Sequence, residues 1–229
     1  MRPRTTPAHP CHHSSRQPIL SVCLFALTVL LSTASLAASL EAQVTDSSGT
    51  PLEYAVISLH GKESRKARPG TRAIVDQRDR QFAPTVLPIQ TGTEVSFPNT
   101  DDVRHHVYSF SAPNQFELKL YHGEPSQPVL FDEPGIVVLG CNIHDGMIGY
   151  LPVIDSPWFA RTDERGRLRM DDVPPGEYTL QLWHPDMNMS VDRQVITISE
   201  NTRRIDLAID TRPVRPAAAA NPLQALFDD

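Results

Sequence analysis

Cysteine is scarce in this chain: three in 229 residues, at Cys11, Cys23 and Cys141. Long apolar runs are missing too. The longest, Val22 to Leu31, is apolar but for Thr28 and covers about ten residues, half of the roughly 20 that a bilayer-spanning helix needs. There is no basic run either. Lys and Arg number 21 against 27 Asp and Glu, a formal charge of -6, which excludes a surface that tracks nucleic-acid phosphates. Aromatics are 7% of the chain, and Phe110, Phe116 and Tyr121 read as core or rim packing rather than as a cofactor box. Proline, by contrast, is plentiful. Its 21 residues are about 9% of the chain against a usual 5% or so, which speaks for short extended segments and against long helices. With 40% hydrophobic residues the chain can still bury one large or two small cores, so most of it is not disordered.

Arg2, Arg4 and Arg16 are the only charged residues before Glu41; the apolar run follows them, and then Ser35-Leu36-Ala37 offers small residues for cleavage. This order reads as a secretory signal peptide over residues 1–37, which sends the chain out to the periplasm and leaves no transmembrane span once removed. Leu20-Ser21-Val22-Cys23 looks superficially like a lipoprotein box, but it precedes most of the run and has valine where a small residue is wanted. Cleavage after Ala37 leaves 18 basic and 27 acidic residues, a net charge of -9, and Cys141 as the one cysteine. An intramolecular disulfide is then impossible. A lone thiol in an oxidising compartment must be buried or ligated to persist.

Ser39 to Val44 and Tyr54 to Leu59, separated by Asp46-Ser47-Ser48-Gly49, predict a hairpin-like opening to an all-β chain. The charged stretch from Gly61 to Gly70 reads as a connector. Strands are then expected at Arg72 to Val75, Val86 to Ile89, Glu94 to Phe97, His105 to Phe110, Phe116 to Tyr121, Val129 to Phe131 and Ile136 to Cys141. Turn residues part them at the 8 to 12 residue spacing of a β-sandwich. Arg161 to Leu168 predicts another hairpin turn, and Thr179 to Trp183, Val191 to Ile198 and Arg204 to Ile209 complete the strands. Residues 211–229, with three prolines and an alanine run, read as a mobile tail.

Cys141-Asn142-Ile143-His144-Asp145-Gly146-Met147 places a thiolate, an imidazole and a thioether in one short segment after an apolar strand. Taken singly, Cys141 is a small buried hydrophobe, His144 a turn residue and Met147 core filler. Their joint spacing, without a disulfide partner for Cys141, points instead to a metal. One more histidine from a distant strand would complete two imidazoles, a thiolate and a weak axial thioether, the donor set of blue-copper electron-transfer sites. His105 and His106 both qualify. Structural zinc fits poorly, because no second cysteine survives export and zinc sites use thiolate, imidazole and carboxylate rather than thioether. Trp183-His184-Pro185-Asp186-Met187-Asn188-Met189 offers a second imidazole and two thioethers that could hold Cu(I), although a plain strand-connecting turn is the simpler reading. His60 and His122 read as exposed, and no acid–base pair or nucleophile arrangement stands out.

Over Arg72 to Ile154 the chain resembles the cupredoxins. The resemblance rests on Asn99, on His105 followed by Val107, on Gly135 six residues before Cys141, and on the Cys-x2-His-x2-Met loop, which is similar to plastocyanin-like proteins and to the short loop of amicyanin. Phe97-Pro98-Asn99, His105 to Phe110 and Gly140 to Asp145 are also similar to cupredoxin-type proteins labelled methylamine utilization proteins. The resemblance implies a Greek-key β-sandwich over residues 71–154 with copper on His105, Cys141, His144 and Met147. One departure is His106, where plastocyanin-like proteins place an asparagine. Adjacent strand residues point to opposite faces, so one of His105 and His106 binds; the inward phase that His105 shares with Val107 favours His105. The flanks resemble the carboxypeptidase regulatory-like domains, small transthyretin-like sandwiches. The matching residues are Val44-Thr45-Asp46, Gly49, Pro51-Leu52 and Ala55-Val56 on one side, and Thr162-Asp163, Gly166, Val173-Pro174-Pro175-Gly176 and Tyr178 on the other. This implies a discontinuous second β-sandwich over residues 38–62 and 156–210.

The expected function is that of an exported type 1 (blue) copper protein carrying one electron, with one copper per chain cycling between Cu(I) and Cu(II) and a redox protein as partner. By resemblance, His144 is the electron route, rimmed by Ile143, Met147 and Ile148. Copper storage, sensing or delivery is one alternative; a partner- or carbohydrate-binding module with an accessory copper site is another. An enzyme is not expected, since multicopper oxidases need several further histidine clusters.

Overall fold

The computed structural model describes residues 38–210 apart from 63, 64, 126, 188–190 and 203; the signal-peptide reading, the tail and Met189 lie outside the described residues. In chain order the strands are β1 (Ala38–Asp46), β2 (Val56–His60), β3 (Arg72–Ile74), β4 (Asp76–Arg78), β5 (Gln81–Ala83) and β6 (Ile89–Gln90). Then come β7 (Thr93–Ser96), β8 (His105–Ser109), β9 (Phe116–Tyr121), β10 (Val129–Phe131), β11 (Gly135–Gly140) and β12 (Ile148–Ile154). The last are β13 (Trp158–Arg161), β14 (Arg167–Val173), β15 (Gly176–Trp183), β16 (Asp192–Ile198) and β17 (Arg204–Ile209). The only helical segment among the described residues is one 3-10 turn at Pro185–Met187. The chain is all-β, and no helix among the described residues is long and apolar enough to cross a membrane.

Two apolar cores account for most of the burial. The sheets β14-β1-β17 and β13-β2-β15-β16 enclose one, built from residues such as Leu40, Val44, Ile57, Leu59, Leu180 and Ile198. The sheets β6-β12-β11-β8-β9 and β10-β7-β3, with the β4-β5 pair, supply the other, which holds Phe82, Val95, Phe97, Val107, Leu139 and Leu151 together with Cys141 and Met147. Alternation explains which side chains enter. In β1, Leu40, Ala42 and Val44 are buried while Glu41 is exposed, as a strand with one face on a core requires. A smaller cluster of Val56, Val86, Ile154 and Trp183 draws on elements that border both cores.

Two hairpin expectations are corrected. β1 and β2 lie in different sheets, as do β13 and β14. In each case the turn carries the chain over the edge of a core, so that apolar faces meet across it rather than side by side. The backbone shows how: Tyr54 adopts φ 68° just before β2, and Thr162 Oγ1 ties the two crossings together by accepting from the Ala55 amide and donating to the Leu52 carbonyl. The β4-β5 pair, β12, β13 and β14 were not anticipated as strands. Val86, expected within a strand, makes an isolated bridge to Tyr150.

Candidate metal centre

A group of side chains with metal-binding atoms converges at one end of the five-stranded sheet. His105, the first residue of β8, is fully buried; Cys141 follows the last residue of β11 and is 8% exposed. Register brings them together. β11 runs antiparallel to β8 with Gly140 opposite Tyr108, so the chain leaving β11 heads toward the start of β8, where His105 stands. The loop that carries His144 then returns to the neighbouring strand β12, whose Ile148 pairs with Gly140. The loop can be this tight because the Met147 amide donates to the His144 carbonyl at 3.2 Å and Gly146 takes φ 80°, a conformation that costs a residue without Cβ little.

The Cys141 sulfur lies 3.8 Å from Nδ1 of His105 and 3.7 Å from Nδ1 of His144, and the two nitrogens are 3.1 Å apart. All three atoms fall within 4.8 Å of one another. These spacings suit a shared ion. A first-row metal with a thiolate at about 2.3 Å, an imidazole at about 2.0 Å and an angle near about 120° puts sulfur and nitrogen about 3.7 Å apart. The nitrogen separation corresponds to a nitrogen–metal–nitrogen angle of about 100° at the same bond lengths. Met147, 2% exposed, packs in the same core as Cys141 and follows the loop directly.

Hydrogen bonding at Nε2 directs Nδ1 of His105 to the cluster. Nε2 of His105 lies 2.9 Å from Oδ2 of Asp101. The carboxylate can only accept, so Nε2 carries the proton and Nδ1 presents its lone pair to the cluster. The same Asp101 oxygen accepts the Arg80 amide at 2.8 Å. The bond from His105, followed by that from Arg80, holds the Asp101 carboxyl well below the usual carboxylate range. Asn99 is buried and holds the loop that presents Asp101: its Nδ2 donates to the carbonyls of Val103 and Tyr121, and its Oδ1 accepts the Asp101 amide. Burial, then the neighbouring His105 and Arg80, lowers the His144 imidazole below its ordinary value and favours the neutral ring that a metal needs.

Of the residues singled out in the sequence, His105, Cys141 and His144 come together and His106 does not join them. Its Nε2 lies 2.9 Å from Oε1 of Glu117, and its ring lies tilted against Tyr108 at 5.3 Å between centroids. His184 is engaged at both ring nitrogens. Nε2 donates to the Glu53 carbonyl at 2.9 Å, and Nδ1 accepts the Asp186 amide at 3.2 Å. His122 is exposed, but His60 is not, and the expectation that it faces solvent is corrected: it is paired with Asp155 and Ser58. Asp101 went unnoticed in the sequence. An aspartate four residues before a strand histidine carries no pattern of its own, and only the loop anchored by Asn99 turns it toward the ring.

No protein-family model matches the chain, and no curated protein matches it. Solved structures do resemble part of it. A purple cupredoxin from Nitrosopumilus maritimus is 22% identical over 36% of this chain and 98% of that one, with a TM-score of 0.31. A mutant of amicyanin in its oxidized form is 18% identical over 42% of this chain and 97% of that one, with a TM-score of 0.32. A copper-containing nitrite reductase from Thermus scotoductus is 23% identical over 49% of this chain and 28% of that one, with a TM-score of 0.34.

Proposed function

We propose that this protein is an exported, periplasmic electron carrier that holds one copper ion through Nδ1 of His105, Sγ of Cys141 and Nδ1 of His144, with the Met147 thioether as a weak axial ligand. The observation that carries the reading is the convergence of one sulfur and two imidazole nitrogens, all within 4.8 Å, from the start of β8 and the loop between β11 and β12. When bound, copper in such a set supplies a one-electron couple, because thiolate suits Cu(I) and imidazole suits both oxidation states.

The chain's own residues hold this site in place. β8 and the end of β11 set His105 and Cys141 in a core that resists rearrangement, and Asp101 keeps the His105 ring in one tautomer and orientation. Ile143, 51% exposed beside the loop histidine, is the apolar residue on which a redox protein partner docks, while Met147 is buried and forms no part of that rim. In this reading the copper centre turns over no substrate. Storage or delivery of copper gains no support from His184, whose ring nitrogens are both occupied by the backbone.

The test is direct. Protein titrated with Cu(II) should take up one equivalent, develop an intense visible thiolate-to-copper absorption and show a reversible one-electron potential. Cys141→Ser should lose the colour. A serine variant that stays equally coloured at unchanged copper content would overturn the assignment.

A further inference from the structure

A second group of reactive side chains lies on β2, away from the metal centre. Ile57 and Leu59 of β2 enter the first core, so Val56, Ser58 and His60 project from the opposite face. That face borders a cleft of about 410 Å³, closed on its other side by Gly135, Ile136 and the chain from Pro152 to Asp155. Its size is that of a small-molecule site. Sheet register lines the wall: Gln181 of β15 stands opposite Ser58, and Arg193 of β16 opposite Gln181, so the three form one row facing the cleft.

Within the cleft, hydrogen bonds connect a carboxylate, an imidazole and a hydroxyl in sequence. Asp155 Oδ1 is 3.0 Å from Nδ1 of His60, and Nε2 of His60 is 2.8 Å from Oγ of Ser58. An ionised carboxylate accepts only, so the ring proton sits on Nδ1. Nε2 is then an acceptor, and the Ser58 hydroxyl donates to it. This is the order in which acyl-transfer sites arrange nucleophile, base and orienting acid. Burial of the ring, opposed by Asp155, lowers the His60 pKa and keeps it a neutral base at neutral pH. Gln181 and Arg193 continue the Ser58 row along the wall of the cleft and bring an amide and a guanidinium to its lining. Trp183 and Ile136 supply apolar walls.

We propose that this cleft is a second, metal-independent site in which Ser58 attacks small carboxylic esters, with His60 as general base and Asp155 as the residue that positions it. As the Oγ–carbon bond forms, the hydroxyl proton passes to Nε2 of His60. The carbon–oxygen bond to the alcohol then breaks, and the imidazolium returns the proton to the departing oxygen. Water repeats the sequence: it gives a proton to Nε2, breaks the Oγ–carbon bond and releases the carboxylic acid with Ser58 restored.

The experiment treats the purified protein with a fluorophosphonate probe, maps the adduct by peptide mass spectrometry and follows hydrolysis of p-nitrophenyl acetate. A single adduct on Ser58 is expected, absent in Ser58→Ala and strongly reduced in His60→Gln. Both variants should hydrolyse the ester about 100-fold more slowly or worse. His122→Ala, which removes an exposed histidine outside both sites, should match the unsubstituted protein; this separates the cleft from adventitious imidazole hydrolysis. Asp155→Asn should slow the reaction and move the acid limb of its pH profile to lower pH, because the carboxylate raises the His60 pKa; a purely structural aspartate would leave the limb in place. The proposal is overturned if the unsubstituted protein, with an intact thermal transition, gives no adduct on Ser58, or if Ser58→Ala hydrolyses the ester at the same rate.

Discussion

The two ring nitrogens of His105 face different partners, an aspartate at Nε2 and a thiol with a second imidazole at Nδ1. Truncating this residue therefore removes a donor and leaves the Asp101 carboxylate with backbone amides as its remaining partners. His105→Ala should lower copper affinity at least about tenfold, the lower bound for disturbing even the outer partners of a metal ligand. His106→Ala should leave one copper per chain, because its ring contacts Glu117 and Tyr108 instead. Competition against a chelator distinguishes the two, and reversed results would mean that the strand phase is one residue out. A second residue-scale expectation concerns His60, whose pKa burial lowers from its ordinary 6.5. Below 6.5 the unfolded chain takes up a proton on this ring that the folded chain resists. Stability is therefore full above that value and falls as the pH drops through the window beneath it. Thermal unfolding of metal-free protein from about pH 7.5 to about pH 5 should show the decline, and His60→Gln should flatten it.

Among the elements, the crossing between β13 and β14 is held by Gly166. It adopts φ 69°, its carbonyl accepts the Val44 amide at 2.8 Å, and a Cβ there would run into the Val44 carbonyl oxygen. Asp163 organises the same turn by accepting the amides of Arg165 and Arg167, which, with the Arg167 bond leading, lower its pKa. Gly166→Ala should cost about 1–3 kcal/mol from the backbone conformation alone, more if the steric clash is not relieved. Urea unfolding measures it directly. A variant as stable as the parent would show that the turn can be rebuilt without its contact to β1.

For the whole molecule, a metal that binds only the folded chain stabilises it by mass action. At free copper about 100 times the dissociation constant the gain is about 2.7 kcal/mol. For a chain of this size that corresponds to about 5–10 °C in melting temperature. Differential scanning calorimetry with and without copper should show this rise in the parent and lose it in Cys141→Ser. A copper-induced rise of equal size in the serine variant would place the stabilising metal elsewhere.

Much of the architecture was legible from local chemistry, because strand residues must alternate and turns need glycine, proline, aspartate or asparagine. β9 and β10 follow the expected bounds, Phe116 to Tyr121 and Val129 to Phe131, and β17 runs from Arg204 to Ile209 as read. The Cys-x2-His-x2-Met spacing sets which donors share a loop, since covalent linkage keeps Cys141 and His144 close whatever the fold does. Sheet membership was not legible. Whether a turn closes a hairpin or carries the chain to the facing sheet depends on which apolar faces meet across a core, and β1 with β2 shows that turn residues serve either course. Strand phase already favoured His105 over His106, but tertiary structure alone decided that Asp101 turns to the His105 ring and that Asp155 reaches His60 across 95 positions of chain. Contacts of that range depend on register and packing, which arise between segments and are written in no single one of them.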